Sequence, residues 1–439
     1  MSAIRWRRPV SARAVEAGPD GRLISLIRWL LLFESSLYSA VTPVLPHYAH
    51  SLHASKPAVG LLAAAYPAGL IPGSLIGGWI ASRVGVRRTT FAGLIAFGAA
   101  IAAFGFGSDL VALDLLRVIQ GASCGLIWGG GLTWAIAVAP RERRGAVIGS
   151  VIAAATFGTL LGPLLGTAAV AVGTRPVFCL LGAISLVLAM ITWRHPEPGH
   201  RPQAEPGRPL SRAALRAALR GGLGMGIWLI NLEAITIGAT NVLLPLRLSR
   251  FGASGVAIGA TFLLAAALSS VLSPIVGRVT DRRGTRAPVV VGLIASAVLL
   301  VALLAPRSAL LLAALCVIAL GAPLTGYMIP AVSMMTDSAE RAGIALVLAT
   351  TLVNLSYATG ETIGAPLAAG LSQATSDAVP VLLIAATMLI TLPAVLTGDA
   401  QRHHGGRDGS EGSGGSDGPT AEGQPSTGSS VTSRATSAA

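Results

Sequence analysis

The sequence is short of charge. Only 12% of its 439 residues are Asp, Glu, Lys or Arg, while 53% are hydrophobic. A soluble domain carries about 25% charged residues, so an ordinary water-solvated surface is excluded. Cysteine is scarce as well. Cys124, Cys179 and Cys316 all fall in apolar stretches without ligand spacing, which makes neither a disulfide framework nor a zinc site. The apolar stretches hold no histidine. His47, His50 and His53 cluster just after the first of them, where they read as solvated rim residues rather than a metal or pH-sensing group. No nucleophile–base pair and no metal-ligand set stands out. The expectation is therefore no enzyme, no cofactor and no metal.

What the chain has instead is long hydrophobic segments, with a mean hydropathy of +0.70. Twelve stretches are near 20 residues, long enough to cross a bilayer core: 24–46, 58–81, 89–107, 111–138, 146–171, 176–193, 222–246, 254–276, 287–305, 309–332, 343–370 and 378–398. Residues 1–21 are basic but lead into a full-length span without a clear cleavage site, so no removable signal peptide is expected. The net charge of +13 invites a nucleic-acid reading, but its placement argues against one. Alternate loops collect Arg83, Arg87 and Arg88, then Arg141, Arg143 and Arg144, then Arg278, Arg282, Arg283 and Arg286. The N-terminus, the stretch 194–220 and the C-terminal tail add more to the same side. The other side receives only Lys56, Arg175, Arg247, Arg250 and Arg307. Such asymmetry sets orientation and predicts both termini in the cytoplasm of a cell (inner) membrane protein.

An internal repeat organises these spans. Gly78-Trp79-Ile80-Ala81-Ser82-Arg83-Val84-Gly85-Val86-Arg87 is matched 199 residues later by Gly277-Arg278-Val279-Thr280-Asp281-Arg282-Arg283-Gly284-Thr285-Arg286. Glu34 and Glu233 obey the same offset, as do Leu45-Pro46 and Leu244-Pro245. Two related membrane halves are a common transporter plan. The prediction is an all-α membrane protein of twelve transmembrane helices in two pseudo-symmetric six-helix halves. The domains are a cytoplasmic segment 1–21, a half 22–193, a cytoplasmic linker 194–220, a half 221–399 and a tail 400–439. The tail is mostly Gly, Ser and Thr and is expected to be disordered. Leu210 to Arg220 reads as a tether or a short basic helix on the membrane surface.

Motifs narrow this further. The repeated loop resembles the signature G-x-x-x-D-R-x-G-x-R/K of the major facilitator superfamily. Arg117-Val118-Ile119-Gln120-Gly121 resembles that family's R-x-x-Q-G, and Gly158-Thr159-Leu160-Leu161-Gly162-Pro163-Leu164-Leu165-Gly166 its antiporter motif G-x-x-x-G-P-x-x-G. Thr42-Pro43-Val44-Leu45-Pro46 resembles the end of helix one in twelve-helix drug:proton antiporters. The resemblance implies alternating access and a cytoplasmic latch built from the loop acid. Here that acid is Ser82 in the first copy and Asp281 in the second. The latch is thus expected to lean on Asp281, facing the start of the fifth span and Arg143 or Arg144. The gate set is Gly78, Ser82, Arg83, Gly85 and Arg87 with Gly277, Asp281, Arg282, Gly284 and Arg286. Gly158, Gly162 and Gly166 share one helix face, which serves close helix packing or, with a bend at Pro163, a seal against proton leak.

Charged residues inside spans are costly and face a cavity or a partner. Glu34 shares a helix face with Tyr38 and Thr42, Glu233 with Asn241, and Glu361 with Asn354 and Tyr357. Each acid is either a site for protons or a cationic substrate, or a neutral carboxyl tying helices together. Arg117 keeps its charge and needs an anion, either Asp114 one turn away or Glu34 across helices. The expected function is secondary transport: proton-coupled efflux of a small apolar or cationic compound by a monomer. Glu34, Arg117 and Asp114 would serve coupling. Tyr38, Glu233, Asn241, Asn354, Tyr357 and Glu361 would line the substrate cavity. Its partners would be the substrate, protons and lipid, with no nucleic acid. The alternatives are a transporter of a polar metabolite such as a sugar or amino acid, whose site needs many amides and tryptophans, and a non-transporting membrane receptor.

Overall fold

The computed structural model describes residues 19–139, 144–196, 219–342 and 346–397. Segment 1–18, most of the linker including Leu210, the tail from 398, and Arg143 lie outside the described residues, as does the side chain of Arg144. The membrane helices lie within Met1–Val395, up to the last turn of the final one.

All regular structure among the described residues is helical. In the first half, α1 (Pro19–Ala40) passes through a 3₁₀ turn (Thr42–Val44) into α2 (Leu45–Ser51). Then come α3 (Lys56–Val84), α4 (Val86–Phe104), α5 (Leu110–Val138), α6 (Arg144–Val172) and α7 (Thr174–Arg194). The second half holds α8 (Gly224–Arg250), α9 (Gly255–Arg283), α10 (Arg286–Ala302), α11 (Ala309–Gly321), α12 (Pro323–Arg341), α13 (Leu346–Ala374) and α14 (Ala378–Thr397). Among the described residues, ten segments are long and apolar enough to cross a membrane, with α1–α2 and α11–α12 counted as one each. The 17-residue α10 and the 29-residue α13 complete twelve crossings.

Prolines set the interruptions. Pro43 and Pro46 lack an N–H to donate, and the first crossing breaks into two helices there. The repeat has Val242 where Pro43 stands, and α8 runs through Pro245 unbroken. Pro323 likewise divides the tenth crossing at Ala322, expected from sequence as one span. Several helices run past the hydropathic spans, as α9 does to Arg283. Hydropathy reports the hydrocarbon core, while a helix continues into the polar interface.

The repeat is visible in backbone detail. Ser55 and Ser254 cap α3 and α9 by accepting from Ala58 N and Ala257 N. Gly85 and Gly284 end those helices at φ 95° and 78°, a conformation that only glycine adopts freely. Tyr48 donates to the carbonyl of Phe104, and its repeat partner Arg247 donates to that of Leu303. His50 and Ser249, also repeat partners, meet at 3.3 Å, so the pseudo-two-fold axis passes near them.

Within the first half, small residues decide how near backbones come. Gly69, Gly73 and Gly77 of α3 face Val118, Ala122 and Gly125 of α5, and a Cβ on any of them would overlap a backbone oxygen or press hard on it. Gly121 reciprocates against the Tyr66 carbonyl. Gly158, Gly162 and Gly166 of α6 do the same on α1, against Leu32, Ser36 with Ser39, and Ala40. The antiporter-motif glycines thus pack two helices of the same half.

The halves touch along α3–α13 and α6–α9, which the repeat interchanges. Close approaches lie at the ends away from the signature loops. Gly60 meets Ala365 and Ala369, Gly255 meets Val170, and Gly259 meets Thr167 and Pro163. On the signature-loop side, a Cβ at Gly78, Gly149 or Gly277 would have no neighbour within 4 Å.

Two glycine substitutions separate these environments. Gly121→Ala is expected to cost about 1–3 kcal/mol through overpacking, while Gly78→Ala, with open space at its Cβ inside a helix, keeps or slightly raises stability. Thermal unfolding of the purified variants in detergent checks this, and equal losses would contradict the packing described.

Candidate functional site

A cavity of about 300 Å³ lies between the halves, at the small end of ligand pockets. Its walls are largely apolar, with Val41, Leu45, Ile237, Phe262, Leu320, Leu324 and Met328 among them. Its charged lining residues are Arg117, Glu233 and Glu361. Its polar ones include Tyr38, Asn241, Ser269, Ser273, Thr325 and Tyr357. Pro163, the proline of the antiporter motif, also faces it. Asn354 does not line the cavity and is exposed. It lies one turn from Tyr357, outside the polar stripe that the spacing suggested.

Glu34 departs from expectation. Tyr38 and Thr42 of the same crossing reach the cavity, but Glu34 does not line it and is only 2% exposed. The Tyr66 hydroxyl donates to Oε1 of Glu34. Trp128 Nε1 donates to Oε2 at 3.1 Å, and Ser35 Oγ at 3.3 Å. The acid is sealed inside the first half by neutral donors.

Arg117 is buried and pairs with neither proposed anion. It donates to Gln120 Oε1 at 3.1 Å, and its guanidinium sits 4.7 Å from the Tyr66 ring centroid, a cation–π arrangement. Tyr66 therefore stands between Arg117 and Glu34, holding one by its ring and the other by its hydroxyl. Asp114 lies near the start of α5, and its Oδ1 is buried without a partner. One turn of separation along the helix does not bring its carboxyl onto the guanidinium.

Across the halves, the Tyr38 hydroxyl donates to both oxygens of Glu361, at 2.5 and 2.6 Å. The Tyr38 and Tyr66 rings lie 5.1 Å apart. A buried chain thus runs Glu34–Tyr66–Arg117 in one half and Tyr38–Glu361 across to the other. Glu233 stands outside it. Glu233 lines the cavity, and its Oε2 is buried with no hydrogen-bond partner.

Most polar groups of the signature loops are exposed, with Arg87 half-buried. Ser82 donates to the Trp79 carbonyl of its own helix at 2.7 Å. Arg83 lies over Trp79, and Arg87 over Trp193. Asp281, Arg282 and Arg286 are exposed. Among the described residues, Asp281 makes no hydrogen bond or ion pair; its expected partners, Arg143 and the Arg144 side chain, lie outside them.

Sequence reasoning missed Tyr66 and Trp128, and it placed Gln120 in the R-x-x-Q-G motif without making it the partner of Arg117. A lone aromatic in an apolar span reads as packing. The usable signal for Gln120 was its place three residues after Arg117, on the same helix face.

A cavity between two repeated six-helix halves, walled by apolar side chains and a few buried charges, defines a membrane transporter. A family model described as Major Facilitator Superfamily matches residues 28–361 and 234–433, and the chain belongs to that family. It is 33% identical over 148 residues to the quinolone resistance protein NorA of Staphylococcus aureus (strain MRSA252), a match covering 34% of this chain and 38% of NorA. It is 34% identical over 93 residues to the MFS-type transporter ppzB of Metarhizium rileyi, covering 21% of the chain and 19% of ppzB. These matches take in well under half of either relative. Among solved structures, a bacterial homologue of the human lysosomal transporter Spinster, inward-facing and unoccupied, aligns at TM-score 0.66 and 18% identity, covering 88% of this chain and 92% of that one. The nucleoside transporter NupG aligns at TM-score 0.66 and 12% identity, covering 86% of this chain and 98% of that one. At such identities the likeness shows the fold alone.

Tyr66→Phe is expected to cost about 1–3 kcal/mol, because it leaves a buried carboxylate oxygen without its donor while keeping the ring under Arg117. In a Glu34→Ala background the same change should cost far less. A double-mutant cycle of thermal unfolding measures the difference, and additive losses would mean that the bond does not matter.

Proposed function

We propose that the chain exports small apolar or cationic compounds in exchange for protons, by alternating access between the halves 22–193 and 221–399. The observation that carries this is the unpartnered Oε2 of Glu233 on an apolar cavity wall. An ionised carboxylate is costly there without a counter-charge. Among the described lining residues the one cation is Arg117, already engaged by Tyr66 and Gln120 and interacting electrostatically with Glu361. Glu233 is therefore neutral when the site is empty. A cationic substrate that takes its place beside Oε2 displaces the proton, and release of the substrate invites it back. One carboxyl holding either a proton or a cation gives antiport without further machinery.

The cavity geometry favours Glu233 over Glu34 for proton exchange. Glu34 becomes a buried anchor whose state reaches Arg117 through Tyr66, and Glu361 is the second cavity acid, held by Tyr38. The lining supports the substrate class too. Among the described residues it includes a single amide, Asn241, and no tryptophan, which disfavours a sugar. The name of NorA, a quinolone resistance protein, agrees with efflux. Charge asymmetry puts the arginine-rich signature loops in the cytoplasm with both termini, in the cell (inner) membrane, and the protein acts as a monomer. With the halves touching on the opposite side, the conformation described is inward-open.

In proteoliposomes, tetraphenylphosphonium should stimulate proton flux through the wild-type protein. Glu233→Gln should lower that flux about tenfold or more, the equivalent of ~1.4 kcal/mol, while leaving the protein folded. Undiminished proton-coupled flux in Glu233→Gln would overturn the exchange mechanism.

A further inference from the structure

On the face opposite the signature loops, three charges and one hydroxyl meet. Lys56 is the first residue of α3, in the first half. Its Nζ lies 2.6 Å from Asp377 Oδ1 and 2.7 Å from Ser372 Oγ. Asp377 stands between α13 and α14, and Ser372 near the end of α13. Arg250, the last residue of α8, bonds Asp377 Oδ2, and Ser372 bonds Oδ1. Lys56 is thus the one member from the first half, and it sits at the rim of the α3–α13 contact. Gly60, one turn further along α3, would place a Cβ 2.7 Å from that of Ala369.

We propose that Lys56, Asp377 and Arg250 form a hand-over latch, in which Lys56 releases Asp377 when this face opens and Arg250 keeps it. The inference goes beyond the exchange chemistry but rests on alternating access. Separating the halves here must break Lys56–Asp377, because the two residues lie on opposite halves. It need not break Arg250–Asp377, because both belong to the second half. Opening therefore leaves no unpaired aspartate, which would otherwise resist it.

The residue types fit the roles. Lys56 is the only lysine in the sequence. An ammonium is a point charge on a flexible stem, suited to repeated making and breaking, while a guanidinium holds a fixed geometry. Burial works to raise the pKa of Asp377, but Lys56, Ser372 and Arg250 hold it down at about 2, so the carboxylate stays charged. The latch is also one-sided. The repeat partner of Lys56 is Gly255, which has no side chain to pair and packs next to the apolar Val170 at the related contact.

The two cations have opposite predicted effects, which a merely structural role would not give. Nitroxide labels on Ser108→Cys and Arg307→Cys, both exposed in loops of this face, report opening in protein whose native cysteines are replaced. Lys56→Gln should raise the ratio of open to closed distances about threefold, the weight of one partly exposed ion pair. Arg250→Gln should lower it by a similar factor, because opening would then strand Asp377. Lys56→Arg, which keeps a charge, should not raise the ratio and controls for folding. Shifts of the same sign, or unchanged distances in all three variants, would overturn the latch. The distances need no substrate, and tetraphenylphosphonium flux in the same preparation tests the export reading separately.

Discussion

Hydrocarbon offers no hydrogen bonds, so every charge between the two faces must be answered by the protein itself. Most of the interior follows from this. Glu34 is answered by Tyr66, Trp128 and Ser35. Arg117 is answered by the Gln120 carbonyl oxygen and the face of Tyr66. Glu361 is answered by Tyr38 from the other half. Of the two acids that line the cavity, Glu233 is the one with a buried oxygen unanswered. On the export reading proposed above, a proton or a ligand supplies that partner instead.

The repeat explains why the deficit falls there. Glu34 and Glu233 occupy equivalent positions on α1 and α8. The equivalent of Tyr66, which caps Glu34, is Ala265, and the equivalent of Tyr38 is Ile237. All of Glu233, Ala265 and Ile237 line the cavity. Reducing a tyrosine to an alanine removes the donor and leaves space in the same step. The equivalent of Arg117 is Cys316, buried and uncharged, so no cation grows on that side either. The two halves share one frame, visible in the paired serine caps and paired left-handed glycines. Small substitutions within that frame make one acid internal and the other accessible.

The fold was legible because its signals are local. Twelve apolar runs, the 199-residue offset and the loop glycines each report on adjacent residues, and the helices sit where those signals put them. The charge partners were not legible in the same way. Helical periodicity put Glu34 on a face with Tyr38 and Thr42, but its carboxyl turns to Tyr66 and Trp128 rather than to the cavity. Asp114 looked like a partner for Arg117 by spacing alone. Most of the real partners come from other helices: Tyr66 of α3 and Trp128 of α5 reach Glu34, and Tyr38 of α1 reaches Glu361. Which of them reaches which acid depends on how near α3 and α5 approach, and that is set by glycines facing glycines. The pattern Gly69, Gly73, Gly77 and Gly121, Gly125, Gly129 was in the sequence, but its consequence for Glu34 appears only when the helices are placed.

The same close approach restricts how the buried acids can respond. Glu34 is sealed, so a proton reaches it only if Tyr66 or Trp128 moves. Tyr66 cannot move freely, because its carbonyl touches Gly121 and its ring carries Arg117. A change in the charge of Glu34 is therefore felt at Arg117 through one rigid ring rather than through a direct ion pair. Arg117 in turn faces the cavity with Glu361, whose hydroxyl donor comes from α1, the helix that also bears Glu34. The internal acid and Glu361 are thus linked through Tyr66, Arg117 and Tyr38. Such a linkage ties the geometry of the cavity to a carboxyl that does not line it.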